Sequence, residues 1–142
     1  MAPGPALATA ATFVWLGMVV AISFLEAPLK FRAPGVTPRI GLGIGRLVFR
    51  ALNVAEAGLA AVLVVALLLA PAGPVVSAAA AIAVGALGVQ VLAVRPRLGR
   101  RSAAVLAGAD LPRSRSHLVY IALEVVKVLA LAATGVSLMA GA

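Results

Sequence analysis

Four long apolar stretches, separated by short connections, constrain the fold of this chain more than any other feature. They run over about 7–28, 47–70, 75–94 and 118–139. Each supplies the roughly 20 apolar residues that a helix needs to cross ~30 Å of hydrocarbon. Hydrophobic residues make up 63% of the chain and charged residues 11%, whereas soluble domains average roughly half and a quarter. The sequence therefore predicts an all-α four-helix transmembrane bundle and excludes a water-soluble domain.

The positions of the basic residues indicate both orientation and partners. The net charge is +8, but eleven of the twelve Lys and Arg residues lie in or beside the first and third connections, and the connection at 71–74 is uncharged. By the positive-inside rule the two basic connections face the cytoplasm, so both termini lie outside. We expect a multi-pass protein of the inner (plasma) membrane, with membrane lipid and not nucleic acid as its partner.

The second half of the chain aligns with the first at an offset of 71 residues, so that 46–56 matches 117–127. The chemically informative positions coincide as follows: Arg46 with His117, Phe49 with Tyr120, Asn53 with Glu124, and Glu56 with Lys127. This alignment predicts one transmembrane domain over 1–142, built from two parallel two-helix repeats at about 7–70 and 75–139. A pseudo-twofold axis along the membrane normal would relate the repeats.

The aligned positions are spaced i, i+3, i+7 and i+10, which places them on one face of each helix. Glu56 and Lys127 lie ten residues beyond the first position, or ~15 Å deep. Because a charge at that depth costs at least ~2.5–3.5 kcal/mol, both faces should point into the bundle and these two residues should pair. Replacing both would then leave no unpaired charge.

Glu26 and Lys30, one turn apart at the cytoplasmic end of the first helix, extend this polar region. We expect a polar cavity that opens toward the cytoplasm. Its predicted substrate or proton site comprises Glu26, Lys30, Arg46, Asn53, Glu56, His117, Tyr120, Glu124 and Lys127.

Other site chemistries have weaker support. Cysteine is absent, which excludes disulfides and thiolate sites. The Glu-x-x-His spacing of di-metal bundles does not occur, so no metal site is predicted, and no motif identifies a cofactor. Gly41, Gly43 and Gly45 do not form a phosphate-loop pattern; we interpret them as the glycine-rich start of a helix with small-xxx-small packing.

The third helix and the connection after it lead to two further expectations. Ser77 and Gln90 are the only polar residues of the third stretch, so this helix should face lipid or, in a homodimer, a second copy of the chain. The segment 95–116 should be a long loop that covers the cavity mouth. Trp15 is compatible with either an interfacial anchor or helix packing.

Several of these positions resemble known families. Segments 23–31, 45–49 and 53–56, with His117, Tyr120, Glu124 and Lys127, resemble a family of small four-span bacterial membrane proteins. Trp15, Gly17, Phe24 and the basic segment after the third helix are similar to the eukaryotic four-span membrane protein family associated with cisplatin resistance. Both resemblances imply the four-span architecture and the choice of polar positions, and neither implies an activity.

Three functions fit these patterns. The first is a small proton-coupled transporter or permease, in which protonation of Glu56, Glu124 or His117 is coupled to transport of a small charged or amphipathic substrate. The second is a membrane-embedded enzyme acting on a lipid, isoprenoid or quinone. There His117 or Glu124 would be the acid/base, Tyr120 a proton donor, and Arg46 with Lys30 a clamp for an anionic head group. The third is a structural subunit of a membrane complex.

Overall fold

The computed structural model describes residues 1–108 and 115–141, which form an antiparallel bundle of four membrane-length helical spans. The first span comprises helix α1 (Pro3–Val19), a π-helical segment (Val20–Glu26) and α2 (Ala27–Lys30); the second is α3 (Pro38–Leu69); the third comprises α4 (Pro74–Val89), a π-helical segment (Gln90–Val94) and α5 (Arg95–Leu106); the fourth is α6 (Arg115–Ala140). The described residues contain no β-strand. The predicted all-α four-helix bundle is confirmed.

Proline sets the start of each of the first three spans. Pro3, Pro38 and Pro74 occupy the first helical turn, where the missing N–H would have no intrahelical partner in any case. Thr37 caps α3, because its side chain accepts a hydrogen bond from the backbone N–H of Ile40 at 3.2 Å. These local signals fix where each helix emerges from a connection.

Both π-helical segments end two residues before a proline. The first ends at Glu26, ahead of Pro28, and the second ends at Val94, ahead of Pro96. A proline in a helix lacks the N–H donor and its ring clashes with the carbonyl four residues earlier. A wider turn with i→i+5 hydrogen bonds accommodates both effects. Equivalence of the two halves as repeats stays a prediction.

Small residues and a few large side chains form the core. The first span packs against the second and fourth, and the fourth packs most closely against the third. Alanine is frequent at these contacts, which lets helix backbones approach closely. Trp15, Leu63 and Leu131 are fully buried. Leucine and valine dominate the outward surface of the bundle, as expected for helices that face lipid.

The ends of the bundle differ in composition. Met1, Pro71 and Gly141 line one depression, so the described parts of both termini lie at the same end as the uncharged connection. The basic connections lie at the opposite end, which we name the basic end. Which end faces the cytoplasm stays a prediction.

The structure corrects two expectations about the third span. The segment predicted as a loop at 95–116 is helical over Arg95–Leu106 and continues the span. Arg, Ala and Leu are good helix formers, and Pro96 lies in the first turn of α5; positions 109–114 lie outside the described residues. The prediction that the third helix faces lipid or a second copy is wrong for the face carrying Gln90, which is fully buried.

Candidate functional site

A lysine and two glutamates form an ionic cluster at the centre of the bundle. Lys127 Nζ lies 2.5 Å from Glu56 Oε1 and 2.6 Å from Glu124 Oε1. The side chains of Lys127 and Glu56 are 0% exposed and that of Glu124 is 2% exposed. The predicted contact between Glu56 and Lys127 is confirmed, and Glu124 extends it. We call Glu56, Glu124 and Lys127 the ionic cluster.

Hydrogen bonds from the first and third spans complete the cluster. Gln90 Oε1 accepts from Lys127 Nζ at 2.8 Å, so each of the three ammonium N–H donors has an acceptor. Trp15 Nε1 donates to Glu56 Oε1 at 2.9 Å. Ser23 Oγ donates to Glu124 Oε2 at 2.6 Å. Each of the four spans therefore contributes a side chain to this network, as buried charges require.

Asn53 links the ionic cluster to a cation nearer the basic end. With its amide oriented to satisfy both neighbours, Asn53 donates from Nδ2 to Glu56 Oε2 at 3.1 Å and accepts at Oδ1 from Arg95 Nε at 3.3 Å. Asn53 and Arg95 are both half-buried. A single amide therefore connects a buried carboxylate with a guanidinium that approaches the water boundary.

Two cations alternate with three aromatic rings at the basic end, and we call this arrangement the cation–aromatic stack. Lys30 Nζ lies 5.6 Å from the ring centroid of Phe31 and 5.7 Å from that of Phe49. The guanidinium carbon of Arg95 lies 5.1 Å from Phe49 and 5.5 Å from Tyr120. Phe49 and Tyr120 meet edge to face at 6.0 Å. These distances fall within the range of cation–π attraction.

Exposure increases from the ionic cluster toward the basic end. Lys127 is fully buried, the Lys30 side chain is 10% exposed, and that of Glu26 is 36% exposed. Glu26 Oε2 lies 3.8 Å from Lys30 Nζ. The buried hydroxyl of Tyr120 has no hydrogen-bond partner among the residues that the structure describes. The polar groups thus form a path from the bundle centre to its basic end.

Two glycines of α3 leave room for the stack. A Cβ atom at Gly41 would overlap the ring of Phe31, and one at Gly45 would lie 3.1 Å from Lys30 Nζ. Nothing lies within 4 Å of a Cβ built at Gly43. The predicted small-residue face at Gly41 and Gly45 therefore receives an aromatic ring and an ammonium group.

The structure brings together most of the predicted site residues but not Arg46. Glu56, Glu124, Lys127 and Asn53 meet at the cluster, and Lys30, Glu26 and Tyr120 lie toward the basic end. Arg46 is exposed, and Arg95 lies over Phe49 instead. His117 is half-buried one turn before Tyr120, at the start of α6.

Sequence analysis did not assign Arg95, Gln90 or Trp15 to the site. Gln90 and Trp15 are isolated polar or amphipathic residues in apolar helices, and a buried amide or indole N–H normally has a partner. This rule could have indicated from the sequence that both residues have polar partners inside the bundle. Arg95 lies where the apolar stretch meets a basic segment, so the sequence pattern did not distinguish a helix from a loop.

Comparisons with known proteins identify no relative. No family model, curated protein or solved structure matches this chain, and both resemblances noted from the sequence stay predictions. Within residues 1–108 and 115–141, no group of three His, Asp or Glu side chains is arranged to hold a metal ion. The fold and the site together define a four-span, multi-pass membrane protein with an ionic cluster buried between its helices.

Proposed function

We propose that this protein is a small proton-coupled transporter that accepts a small charged or amphipathic substrate from the cytoplasmic side. The ionic cluster is its proton site. The observation that carries the proposal is the sharing of Lys127 by two carboxylates, Glu56 and Glu124, at 2.5 and 2.6 Å.

Charge balance gives the physical reason. One ammonium between two carboxylates leaves the ionic cluster with one excess negative charge when both carboxylates are ionised. That charge is costly near the bilayer midplane. Arg95 offsets it through Asn53. If Arg95 turns toward a substrate, a proton taken up by the cluster restores neutrality, and so substrate binding and protonation are coupled.

The distribution of polar groups supports access from the basic end. Exposure rises along the path from Lys127 to Glu26, whereas Leu63, Leu131 and Leu138 are buried in the opposite half. That half must open to release the substrate. The two π-helical segments, where regular helical bonding is interrupted, are the places for the first and third spans to bend.

A structural subunit is the second candidate, because every charged atom of the ionic cluster has a partner. Such a cluster could simply fix the relative positions of the four spans. An enzyme has less support: Glu124 is already held by Lys127, Ser23 and Gln90, which opposes a role as general acid or base.

Proton flux in proteoliposomes tests the proposal. Liposomes that contain the full chain and trapped pyranine receive decyl phosphate or decyltrimethylammonium outside, as an amphipathic anion and cation. We expect one probe to cause proton entry in the wild type, and Glu56→Gln to abolish it. Ser77→Ala, an exposed change in α4, is the control and should behave as wild type.

A thermal melt in detergent accompanies each variant. If the folded wild-type protein gives no more proton entry than empty liposomes with either probe, the transporter proposal is refuted and the structural role stands.

A further inference from the structure

Resting on the transport function proposed above, we propose that Arg95 binds the anionic head group of an amphipathic substrate and that Asn53 couples this binding to protonation of Glu56. The substrate class is then a hydrocarbon chain with a phosphate or carboxylate head, carried with one proton.

Arg95 is equipped to bind an anion. Its Nε donates to Asn53 Oδ1 at 3.3 Å, and its four other N–H donors make no hydrogen bond within residues 1–108 and 115–141. In the same described residues no carboxylate lies within 4.0 Å of its guanidinium, whereas Lys127 has two and Lys30 has Glu26. A guanidinium stacked on aromatic rings keeps its edge free for paired hydrogen bonds to an oxyanion.

The surroundings of Arg95 fit a head group attached to an apolar tail. Its guanidinium lies over Phe49 and Tyr120, and the neighbouring cation Lys30 lies between Phe49 and Phe31. The rings offer apolar surface beside two positive charges. The Tyr120 hydroxyl, buried without a hydrogen-bond partner among the described residues, adds a donor for the same anion.

Asn53 can couple the anion to a proton because an amide has a donor end and an acceptor end. When Glu56 is ionised, Nδ2 faces Glu56 Oε2 and Oδ1 faces Arg95 Nε. When Glu56 carries a proton on Oε2, the carboxyl donates to Oδ1, and the amide turns by half a revolution. Nδ2 then faces Arg95, which loses its acceptor and turns to the substrate anion.

The neighbouring charged groups favour Glu56 as the proton acceptor. Glu124 accepts from Lys127 and Gln90 at Oε1 and from Ser23 at Oε2, whereas Glu56 Oε2 accepts from the Asn53 amide, which can turn to present its oxygen instead. The proton comes from water at the basic end. Charged or titratable groups packed around Glu56 and along this path are Glu26 and Lys30 of the first span, Arg95 of the third, and Tyr120, Glu124 and Lys127 of the fourth.

Trp15 provides an intrinsic reporter. It is the single tryptophan of the chain, and its Nε1 donates to Glu56 Oε1 at 2.9 Å. Its fluorescence should therefore change when Glu56 gains a proton. The full chain in phosphatidylcholine nanodiscs is titrated with decyl phosphate, and the comparison of pH 6 with pH 8 uses decyl sulfate, whose head group keeps one negative charge at both values, whereas a phosphate monoester titrates near pH 6. Because binding and protonation are linked, we expect wild-type binding to be about tenfold or more tighter at pH 6.

Three variants test the residues. Arg95→Gln should weaken decyl phosphate binding about ten- to a hundredfold, the loss expected for a charge-assisted hydrogen bond. Arg97→Gln, an exposed change two residues away, is the matched control and should bind as wild type. Asn53→Leu should still bind but lose the difference between pH 6 and pH 8; its binding is measured by calorimetry, because the Trp15 signal depends on the coupling to Glu56. If Arg95→Gln fails to fold, Arg95→Lys replaces it and should bind about tenfold more weakly than wild type.

Two further binding measurements identify the source of the head group. Inorganic phosphate should bind at least tenfold more weakly than decyl phosphate, because it lacks the tail. Nanodiscs of phosphatidylglycerol should leave the decyl phosphate titration unchanged if the substrate is a free amphiphile. Competition by that lipid, lost in Arg95→Gln, would instead identify a lipid head group as the anion, which also supports the site.

Other outcomes overturn the inference. Decyl phosphate binding that is unchanged in Arg95→Gln, or equal affinity for inorganic phosphate, refutes the site. Wild-type binding that is independent of pH refutes the role of Asn53. If decyl phosphate binding depends on Arg95 but liposomes show no proton flux, the anion site is supported and the transport function is refuted. If proton flux survives Arg95→Gln, the transport function is supported and the role of Arg95 is refuted.

Discussion

Replacement of Lys127 by methionine measures how strongly the ionic cluster depends on its single ammonium group. Methionine has nearly the same length and apolar stem, so the change removes charge with little loss of volume. It also removes hydrogen bonds of 2.5, 2.6 and 2.8 Å. Glu56 and Glu124 are then left as two buried carboxylates without a cation in contact.

The expected magnitude follows from burial. Removing one partner of a buried ion pair costs ~3–5 kcal/mol, because the remaining charge is left uncompensated. Lys127→Met leaves two such charges, so we expect a loss of about 5 kcal/mol in the free energy of unfolding. Glu56→Gln leaves a neutral pair of Lys127 with Glu124 and should cost about 2 kcal/mol.

The double variant Glu56→Gln with Lys127→Met should lose about 4 kcal/mol, well short of the additive value of about 7 kcal/mol. Glu124 stays without its ammonium partner in this variant. The sequence-based expectation that this double change would leave no unpaired charge is therefore wrong, since Glu124 also contacts Lys127.

Reversible unfolding of the purified protein in mixed micelles with increasing sodium dodecyl sulfate gives these free energies. Leu131→Met, a volume-conserving change at a fully buried site one turn along α6, is the control and should cost less than ~1.5 kcal/mol. A loss below about 1 kcal/mol for Lys127→Met, or additive effects in the double variant, would refute the account of a shared ammonium.

Three further results are expected. Gly41→Ala should displace the Phe31 ring and lower the melting temperature, while Gly43→Ala, where a Cβ meets open space, should leave it unchanged or higher; equal effects would contradict the packing. Gly135→Ala should destabilise in the same melting assay, because its Cβ would lie 2.6 Å from the Phe13 ring, and a neutral effect would contradict this contact. Single cysteines in the two basic connections should both be labelled from the cytoplasmic side, and labelling of one from outside would refute the predicted orientation. The two positions to be replaced by cysteine in this labelling experiment are Pro34 and Gly108.

Hydropathy and helical periodicity determined the number of spans, their approximate positions and two of the polar faces. These features follow from the sequence because a bilayer requires about 20 apolar residues per span and does not tolerate exposed charge. The same rules predicted that Glu56 and Lys127 meet. Both residues lie on regular stretches of α3 and α6, where each residue advances the helix by a rotation of about 100° without interruption.

Tertiary structure decided which other side chains join them. Each π-helical turn adds a residue, and one residue rotates the rest of a helix by about 100°. A regular helical pattern therefore fails in the third span, which contributes Gln90 and Arg95. Relative rotation and axial shift of the spans place Arg95 over Phe49 and leave Arg46 exposed. Those parameters depend on packing between helices, which no single helix encodes.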